Sequence, residues 1–405
     1  MRVLFATWDM NGHLNPMVPL AWALRSAGHD VTVISTPGMV PNIVGAGLPA
    51  YGAGPDFDSY AVLREQLAAR NWRPTKPEPP SGDTADDAER NRRRRLMGFK
   101  VAVESASAQA PDAVSFARWW RPDLVVFEPA AFVGPLIARL LGVPAVRHLW
   151  SVDFTAPIAE MEEALIGDLA ARFGLGSVGV NGDLTLDPAP ARLQIKDGRQ
   201  RERIRYVPYN GPAEVPAWVL EQPSRRRVAI TWGTSRALLG YDHLMQAPMV
   251  VEALADVDVE IVVAAVESQR ELFGVLPANV RHVGRVPLHP LLQTSSVLVQ
   301  QGGAGGTMTA LVNGVPQVVV PQMPDEMFHA WQVEQSGGGL MVEGATATPE
   351  NIRAAVLRVL DDPGILASAR EQRDDILAAP SLSKVAVRLQ RLVEEHVGAA
   401  VGGRR

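Results

Sequence analysis

The sequence predicts an α/β protein with two domains, each built on a doubly wound parallel sheet. Short β-branched apolar runs alternate with helix-like segments from Arg2 onward. This rhythm is typical of parallel strands joined by right-handed crossovers. A second series of the same kind follows a proline-rich stretch at 205–222. The 405 residues are enough for two such domains.

The element pattern of the two halves supports this prediction. In the first half, strands alternate with helices up to about residue 148, and residues 151–197 look helical and irregular. In the second half, 286–289 is predicted to be a turn. The predicted strands are Arg2–Thr7, Val31–Ser35, Leu124–Phe127, Val143–His148, Val228–Thr231, Ile261–Ala265 and Val280–Val283, and the predicted helices are Met17–Ala27, Leu96–Trp120, Phe132–Leu141, Thr348–Asp361, Gly364–Ala379 and Leu382–Val397.

The stretch 297–322 carries the most specific local pattern. A buried strand at Val297–Val299 leads into the glycine-rich turn Gly302–Gly306, a helix at Thr307–Asn313 and a strand at Gln317–Val320. Such a turn places unpaired N–H groups and the positive end of a helix at one point, which suits a phosphate or diphosphate. The alternative is a turn that only packs helix against strand.

Other polar residues follow predicted strands, where open α/β sheets bind their ligands. Asp325 and Glu326 come after the strand that ends at Val320, and their carboxylates can accept hydrogen bonds from sugar hydroxyls. Gly233, Thr234 and Ser235 follow another strand. They form either a second phosphate cradle or a plain helix N-cap.

In the first half, His13 lies in the predicted loop after the first strand, and Glu128 follows the strand Leu124–Phe127. Histidine is the side chain best suited to proton transfer near neutral pH. A carboxylate at the same sheet edge can orient the imidazole and stabilise its protonated form. The alternatives are a histidine that caps the following helix and a surface or capping glutamate.

Composition narrows the class of protein. Hydrophobic residues make up 47% and charged residues 20%, as in ordinary globular proteins. The formal net charge of −5 gives no electrostatic case for a nucleic-acid partner. No cysteine is present, which excludes disulfides and thiolate metal sites. Without a signal peptide or a membrane-length apolar run, the chain is expected to be cytoplasmic.

Taken together, these residues resemble the GT-B fold, family 1 glycosyltransferases. The likeness is strongest to bacterial natural-product enzymes that move deoxysugars from TDP-sugars onto polyketide or macrolide aglycones. It covers nearly the whole chain in order. The motifs that carry it are Gly12–Pro16, Arg121–Pro129, Tyr206–Pro212, Gly233–Ser235, Val286-Pro287 and Gly302–Glu326.

The resemblance implies an inverting transfer from a TDP-sugar, in preference to a UDP-sugar, to a hydrophobic acceptor, with no metal or other cofactor. His13 matches the general base, and Glu128 falls where many members have the supporting aspartate. Val286 matches a position whose backbone contacts the pyrimidine, and Asp325 and Glu326 match a pair that faces the sugar. The implied diphosphate contacts are Gly233, Thr234, Ser235, Gln301, Gly303, Ala304, Gly305, Gly306 and Thr307, and the implied acceptor contacts are Asp9, Met10, Asn11 and Trp150.

Three positions depart from the family pattern. Gln301 stands where a histidine is usual, and it can donate a hydrogen bond but never carry a positive charge. Gly306 removes a hydroxyl that the adjacent Thr307 is expected to replace. Glu326 replaces an amide and cannot donate while ionised, which favours a sugar with a different pattern of hydroxyl or amino groups.

We predict an N-terminal acceptor domain at 1–207, a linker at 208–222 and a nucleotide-sugar domain at 223–380. A last helix and tail, 381–405, would pack back toward the first domain. Further expectations are a homodimer and a cytochrome-P450-like activator that docks on Arg70–Arg95, although a solvated helix face is the default for the basic run in that segment. The competing functions are a binding or helper subunit with weakened catalysis and a sugar-nucleotide epimerase.

Overall fold

The computed structural model of the protein describes residues 1–69, 85–240 and 245–402. The part of the predicted docking segment at 70–84 lies outside the described residues. Its basic end belongs to a long helix that begins at Ala85, and Arg92 and Arg93 are exposed on it.

Thirteen strands are described. The first seven are β1 Arg2–Ala6, β2 Asp30–Ser35, β3 Ala50–Gly52, β4 Leu124–Phe127, β5 Ala145–His148, β6 Leu184–Asp187 and β7 Glu202–Arg203. The other six are β8 Arg227–Thr231, β9 Glu260–Ala264, β10 Val280–Gly284, β11 Val297–Gln300, β12 Gln317–Val319 and β13 Gly339–Met341.

Helices follow most of the strands. In the first half they are α1 Asn11–Leu14, α2 Val18–Ser26, α3 Val40–Gly45, α4 Ser59–Ala69, α5 Ala85–Trp120, α6 Val133–Leu141 and α7 Glu162–Arg172. In the second half they are α8 Ala217–Leu220, α9 Ser235–Leu239, α10 Ala247–Ala253, α11 Leu288–Leu292, α12 Ala304–Asn313, α13 Pro324–Gln335, α14 Pro349–Asp361, α15 Pro363–Ala378 and α16 Leu382–Gly402.

The strands form two separate parallel sheets, which confirms the predicted fold class. The order of the first sheet is β3-β2-β1-β4-β5-β6-β7, and the order of the second is β10-β9-β8-β11-β12-β13. In each sheet the order reverses beside its first strand in the chain, β1 or β8. The β1–β4 register pairs Leu4 with Val125 and Ala6 with Phe127, so both strands end at the same edge. That edge is the switch point at which a ligand site is expected.

Each sheet is covered by apolar helix faces. One face of the first sheet packs against α5 and α6, and the other packs against α2 and α16. Leu382, Val385 and Leu389 of α16 are buried in that second cluster, so the last helix of the chain lies on the first half.

The two halves also share a buried cluster of their own. Val152, Leu193 and Tyr206 from the first half pack in it with Met308 and Ala330 from the second. An ion pair between Arg203 and Asp375, with a nitrogen–oxygen distance of 3.2 Å, lies at the same junction.

Several short elements differ from the sequence predictions. The stretch 151–197 is not only helical and irregular, because it contains β6, and the predicted turn at 286–289 runs into helix α11. Strands β3 and β7 have three and two residues and lie at the two edges of the first sheet. Such short strands give no periodic signal, since their pairing comes from the neighbouring strand. No helix in the described ranges is long and apolar enough to cross a membrane.

His148, at the end of β5, makes a testable contribution to stability. Its side chain is buried, Nδ1 has no hydrogen-bond partner in the described part of the chain, and burial lowers the pKa of this histidine from 6.5 to about 4. Between these pH values the unfolded chain binds the proton and the folded chain does not. The free energy of unfolding is therefore expected to fall as the pH drops from 6.5 to 4, by on the order of 3 kcal/mol from this group.

Urea denaturation across that pH range checks this prediction. His148→Gln is expected to remove the share of the slope that this histidine contributes. Val146→Ala, on the same strand and equally buried, is the control, because it loses packing without losing a titratable group. A slope that is the same in His148→Gln and the wild type would contradict the prediction.

Candidate active site

His13 and Glu128 come together at the carboxyl edge of the first sheet. Nδ1 of His13 lies 2.8 Å from Oε2 of Glu128. The imidazole is 18% exposed, whereas the glutamate is 1% exposed. One ring nitrogen therefore faces a buried carboxylate while the ring keeps access to the surface. An Nδ1–H that donates to Glu128 leaves Nε2 as the nitrogen that can accept a proton.

The backbone fixes the Glu128 carboxylate. Oε1 accepts a hydrogen bond from the Trp8 N–H at 2.9 Å, and Oε2 accepts one from the Ala130 N–H at 2.9 Å. Trp8 follows β1 and Glu128 follows β4, so the pairing of these two strands sets the contact. The carboxylate can therefore orient His13 without moving itself.

Two tryptophan rings flank the imidazole. The centroid of Trp8 lies 4.9 Å from that of His13 at an interplanar angle of 84°, and the centroid of Trp150 lies 4.5 Å away at 63°. Both tryptophans are nearly buried. Edge-on packing of this kind restricts the ring to few orientations.

A loop was predicted at His13, but the structure has a helix there. His13 lies in the one-turn helix α1, and a 3₁₀ turn at Asn15–Met17 connects α1 directly to α2. Pro16 and Pro19 at the starts of the later turns account for the broken periodicity. The helical turn gives the histidine a defined backbone rather than a mobile one.

The other predicted acceptor residues differ in their surroundings. Asp9 is 8% exposed and accepts hydrogen bonds from the N–H and hydroxyl of Ser59 at 2.9 and 2.5 Å. Burial raises the pKa of this carboxyl. Asp9 therefore holds the start of helix α4, and its expected contact with the acceptor substrate stays a prediction. Met10 is buried in the same apolar cluster as Trp8. The side-chain oxygen of Asn11 accepts a hydrogen bond from the side-chain amide of Asn42 at 2.9 Å.

In the second half, the glycine turn lies between β11 and α12. The helix begins at Ala304 rather than at Thr307, and Gly303 is its N-cap. The N–H groups of Ala304, Gly305 and Gly306 have no acceptor within the helix, because the first turn of any helix leaves them unpaired. Three N–H groups and the positive helix end thus meet at one point.

Gln301 lies between the two glycine-rich turns. A Cβ at Gly233 would lie 3.0 Å from its Nε2, and a Cβ at Gly303 would lie 2.9 Å from the same atom. The side chain is 9% exposed, and its Oε1 has no hydrogen-bond partner within the described residues. Gln301 therefore reaches the point where the N–H groups converge, as a neutral polar group.

Gly306 has a local reason to lack a side chain. The amide oxygen of Gln300 occupies the space where a Cβ of residue 306 would lie. The Gln300 amide nitrogen donates to the Thr307 hydroxyl at 2.9 Å, and Thr307 is fully buried. The expectation that the Thr307 hydroxyl replaces the missing one stays a prediction, and the buried position of this hydroxyl does not favour it.

The second candidate cradle lies beside the first. Gly233 has a φ of 65°, and Thr234 and Ser235 are exposed at the start of α9. From the first half, the guanidinium of Arg64 donates to the Leu238 carbonyl of that helix at 3.2 Å. The predicted pyrimidine contact, Val286, is half-buried just before α11.

The two acidic residues of the predicted sugar pair have different surroundings. Asp325 is exposed in the first turn of α13. Glu326 is 6% exposed, and its Oε2 accepts from the N–H groups of Gln322 and Met323 at 2.9 Å each. Glu326 thus caps the start of helix α13. Its expected role as a sugar ligand stays a prediction, and this capping contact does not favour it. In the described ranges, no three acidic, histidine or cysteine side chains converge as a metal site requires.

Two contacts bring the halves of the site together. Ala304, the first residue of α12, packs against the apolar cluster that contains Trp8 and Trp150. Phe154 of the first half stacks on Phe328 of α13, with ring centroids 5.3 Å apart. The start of α12 therefore lies on the side of the molecule that carries His13. Sequence reasoning missed Trp8, Phe154 and Phe328; the position of Trp8 directly after β1 was the only signal.

Comparison with known proteins agrees with this arrangement. Residues 22–233 match the family described as erythromycin biosynthesis protein CIII-like, N-terminal domain, and residues 248–392 match its C-terminal domain. The chain is 34% identical to 10-deoxymethynolide desosaminyltransferase from Streptomyces venezuelae, over 98% of each chain. It is also 34% identical to 3-alpha-mycarosylerythronolide B desosaminyl transferase from Saccharopolyspora erythraea, over 95% of this chain and 96% of the other.

Solved structures show the same fold. Glycosyltransferase VinC in complex with dTDP superposes with a TM-score of 0.81 at 31% identity, covering 98% of this chain and all of the other. Spinosyn rhamnosyltransferase SpnG, complexed with spinosyn aglycone, gives 0.80 at 31% identity and covers 96% of this chain and all of the other. Two parallel α/β domains of this kind form the GT-B fold, and the named relatives identify the chain as a glycosyltransferase. The chain belongs to the erythromycin biosynthesis protein CIII-like family.

Proposed function

We propose that this enzyme transfers a deoxysugar from a TDP-sugar, in preference to a UDP-sugar, to a hydrophobic polyketide or macrolide aglycone. The transfer inverts the anomeric centre and needs no metal ion. The observation that carries the proposal is the pairing of His13 with Glu128 at the carboxyl edge of the first sheet, where Nδ1 of His13 lies 2.8 Å from Oε2 of Glu128. The relatives with desosaminyltransferase names and the dTDP complex of VinC support the donor class.

On the acceptor side, His13 acts as the general base. Glu128 holds Nδ1–H, so Nε2 takes the proton from the acceptor hydroxyl as the oxygen attacks the anomeric carbon. The imidazolium that forms lies beside the buried carboxylate, which stabilises the positive charge. Trp8 and Trp150 keep the ring from turning away and make its surroundings apolar.

On the donor side, the start of α12 binds the diphosphate. As the bond between the anomeric carbon and the diphosphate oxygen breaks, negative charge grows on the leaving group. The N–H groups of Ala304, Gly305 and Gly306 and the Gln301 amide are placed to stabilise that charge. The second side of the cradle is formed by Gly233, Thr234 and Ser235. Val286 contacts the pyrimidine of the nucleotide, and Asp325 contacts the sugar.

A panel of TDP- and UDP-sugars with polyketide and macrolide aglycones tests the proposal. The expected result is transfer with inversion. Mass spectrometry of the product detects the transfer, and NMR shows the anomeric configuration. EDTA is expected to leave the rate within about two-fold. A thermal shift with TDP separates the helper-subunit alternative, because a chain without a working donor site would show no shift. Product without any acceptor would indicate an epimerase and contradict the proposal.

The Gln301 position yields a separate prediction. Gln301→His is expected to tighten TDP binding by about ten-fold at pH 6, because a charge-assisted hydrogen bond to a phosphate is stronger than a neutral one by ~1–2 kcal/mol. The gain should shrink at pH 8, where the imidazole is neutral. Calorimetric titration at both pH values measures it, with Gln301→Ala as the control that removes the donor. Equal affinity of Gln301→His and wild type at pH 6 would contradict the assigned contact.

A further inference from the structure

The segment Leu149–Thr155, which we name the bridging segment, follows β5 and contacts both halves of the molecule. Near its start, the Trp150 ring packs edge-on against His13, with centroids 4.5 Å apart. Near its end, the Phe154 ring stacks on Phe328 of α13, with centroids 5.3 Å apart and an interplanar angle of 10°. One short segment thus contacts both the candidate base and the donor half.

The middle of the bridging segment is buried at the junction between the two halves. Val152 is 2% exposed and packs in the shared cluster with Met308 of α12 and Ala330 of α13. His329 of α13 meets Phe154 edge-on, at 6.0 Å and 82°. Alternate residues 150, 152 and 154 therefore make the three contacts, and the first half of the chain reaches both donor-side helices through them.

Asp153 anchors the bridging segment within the first half. Its carboxylate accepts hydrogen bonds from Arg147 at 2.6 Å, from Arg201 at 2.9 Å and from the Thr155 hydroxyl at 2.9 Å. Its backbone N–H donates to the side chain of Gln194 at 2.8 Å. Asp153 and Arg147 are nearly fully buried. With its centre held this way, the segment keeps the Trp150 and Phe154 rings at a fixed separation within the first half.

We propose that the bridging segment sets the position of the His13 imidazole relative to the bound donor, with Trp150 and Phe154 as positioning residues. This inference rests on the proposed function, in which His13 is the base. A base must lie within hydrogen-bond reach of the proton it removes, and a misplacement of about 1 Å costs on the order of 10²-fold in rate. The donor lies in one half and the base in the other, so a contact between the halves fixes this distance.

The first test observes His13 directly and needs neither ligand nor turnover. The chain has eight histidines, so histidine-selective labelling gives few NMR signals, and His13→Gln assigns the one of interest. Phe154→Ala and Phe328→Ala are expected to shift the His13 ring signals, although Phe328 belongs to the other half. Trp331→Ala, which removes a 44% exposed ring from the same helix, is the matched control and should leave them unchanged.

The second test is kinetic. Phe154→Ala is expected to lower kcat about 10- to 100-fold while the Kd for TDP changes less than about three-fold, and Phe154→Tyr should recover most of the rate. Phe116→Ala removes a half-buried ring that packs against Tyr51, Trp119 and Trp120 of the first half and should keep kcat within about three-fold. If Phe154→Ala or Phe328→Ala fails to fold, Phe154→Leu or Phe328→Leu replaces it.

Wild-type His13 signals in both folded variants at positions 154 and 328, or full kcat in Phe154→Ala, would overturn the inference. A wild-type protein that transfers no sugar would instead refute the proposed function. The NMR comparison would still decide whether the bridging segment positions the imidazole.

Discussion

His13→Ala is expected to lower kcat for transfer to an alcohol acceptor by about 10³-fold, because a positioned general base contributes 10²–10⁴-fold. The loss should appear in kcat rather than in the affinity for TDP, since the proposed diphosphate site lies in the other half. Steady-state kinetics and calorimetric titration with TDP measure the two quantities.

His29→Ala is the matched control for that experiment. His29 is also a partly exposed histidine of the first half, but it lies at the opposite end of the sheet, beside the N-terminal amine. Its removal should leave kcat within about two-fold. Full activity of a folded His13→Ala variant would contradict the assigned base.

Glu128→Gln is expected to lower kcat by about 10²-fold or more, because the carboxylate accepts three hydrogen bonds that an amide cannot all keep. The donors are the His13 ring and the N–H groups of Trp8 and Ala130. An amide places an N–H₂ group against at least one of them, which leaves a buried donor unpaired at a cost of about 1–3 kcal/mol. The ring then loses its orientation and the imidazolium loses its counter-charge.

Glu128→Asp separates charge from geometry in this prediction. It keeps the negative charge and shortens the side chain by one methylene group, so kcat should stay within about ten-fold of wild type. Thermal unfolding of both variants measures the stability loss alongside the kinetics. An amide variant that is folded and fully active would show that the carboxylate does not support the base.

The fold and the meeting of His13 with Glu128 were predictable because both follow from local pattern and sheet topology. Apolar runs of four to six residues fixed β1 and β4, and parallel strands end at a common edge. Any polar residues that follow those strands must then be neighbours. The pairing distance agrees with this reasoning, while the catalytic roles of the two residues stay predictions, as do the domain boundaries.

The parts that the sequence did not predict depend on contacts between distant residues. Glu326 matched a sugar-facing position, yet the geometry of its own helix start turns it back onto the Gln322 and Met323 N–H groups. The Thr307 hydroxyl is held by Gln300 across the interior. The bridging segment has no motif, since its importance comes from Trp150 and Phe154 meeting residues 137 and more than 170 positions away in the chain.

The proposed site therefore combines a rigid base with a neutral diphosphate cradle. The first half supplies an imidazole fixed by strand pairing and two indole rings. The second half supplies backbone N–H groups and the Gln301 amide in place of a cation. In this proposal, a bound diphosphate donor has an apolar wall on one side and backbone dipoles on the other, and the dipoles stabilise the negative charge that grows on the leaving group.

A crystal structure with TDP and an unreactive acceptor analogue would test the central claim most directly. The account predicts the β-phosphate at the N–H groups of Ala304–Gly306 and Nε2 of His13 about 2.6–3.2 Å from the acceptor heteroatom. An acceptor atom bound away from His13, or a diphosphate bound away from the start of α12, would contradict it.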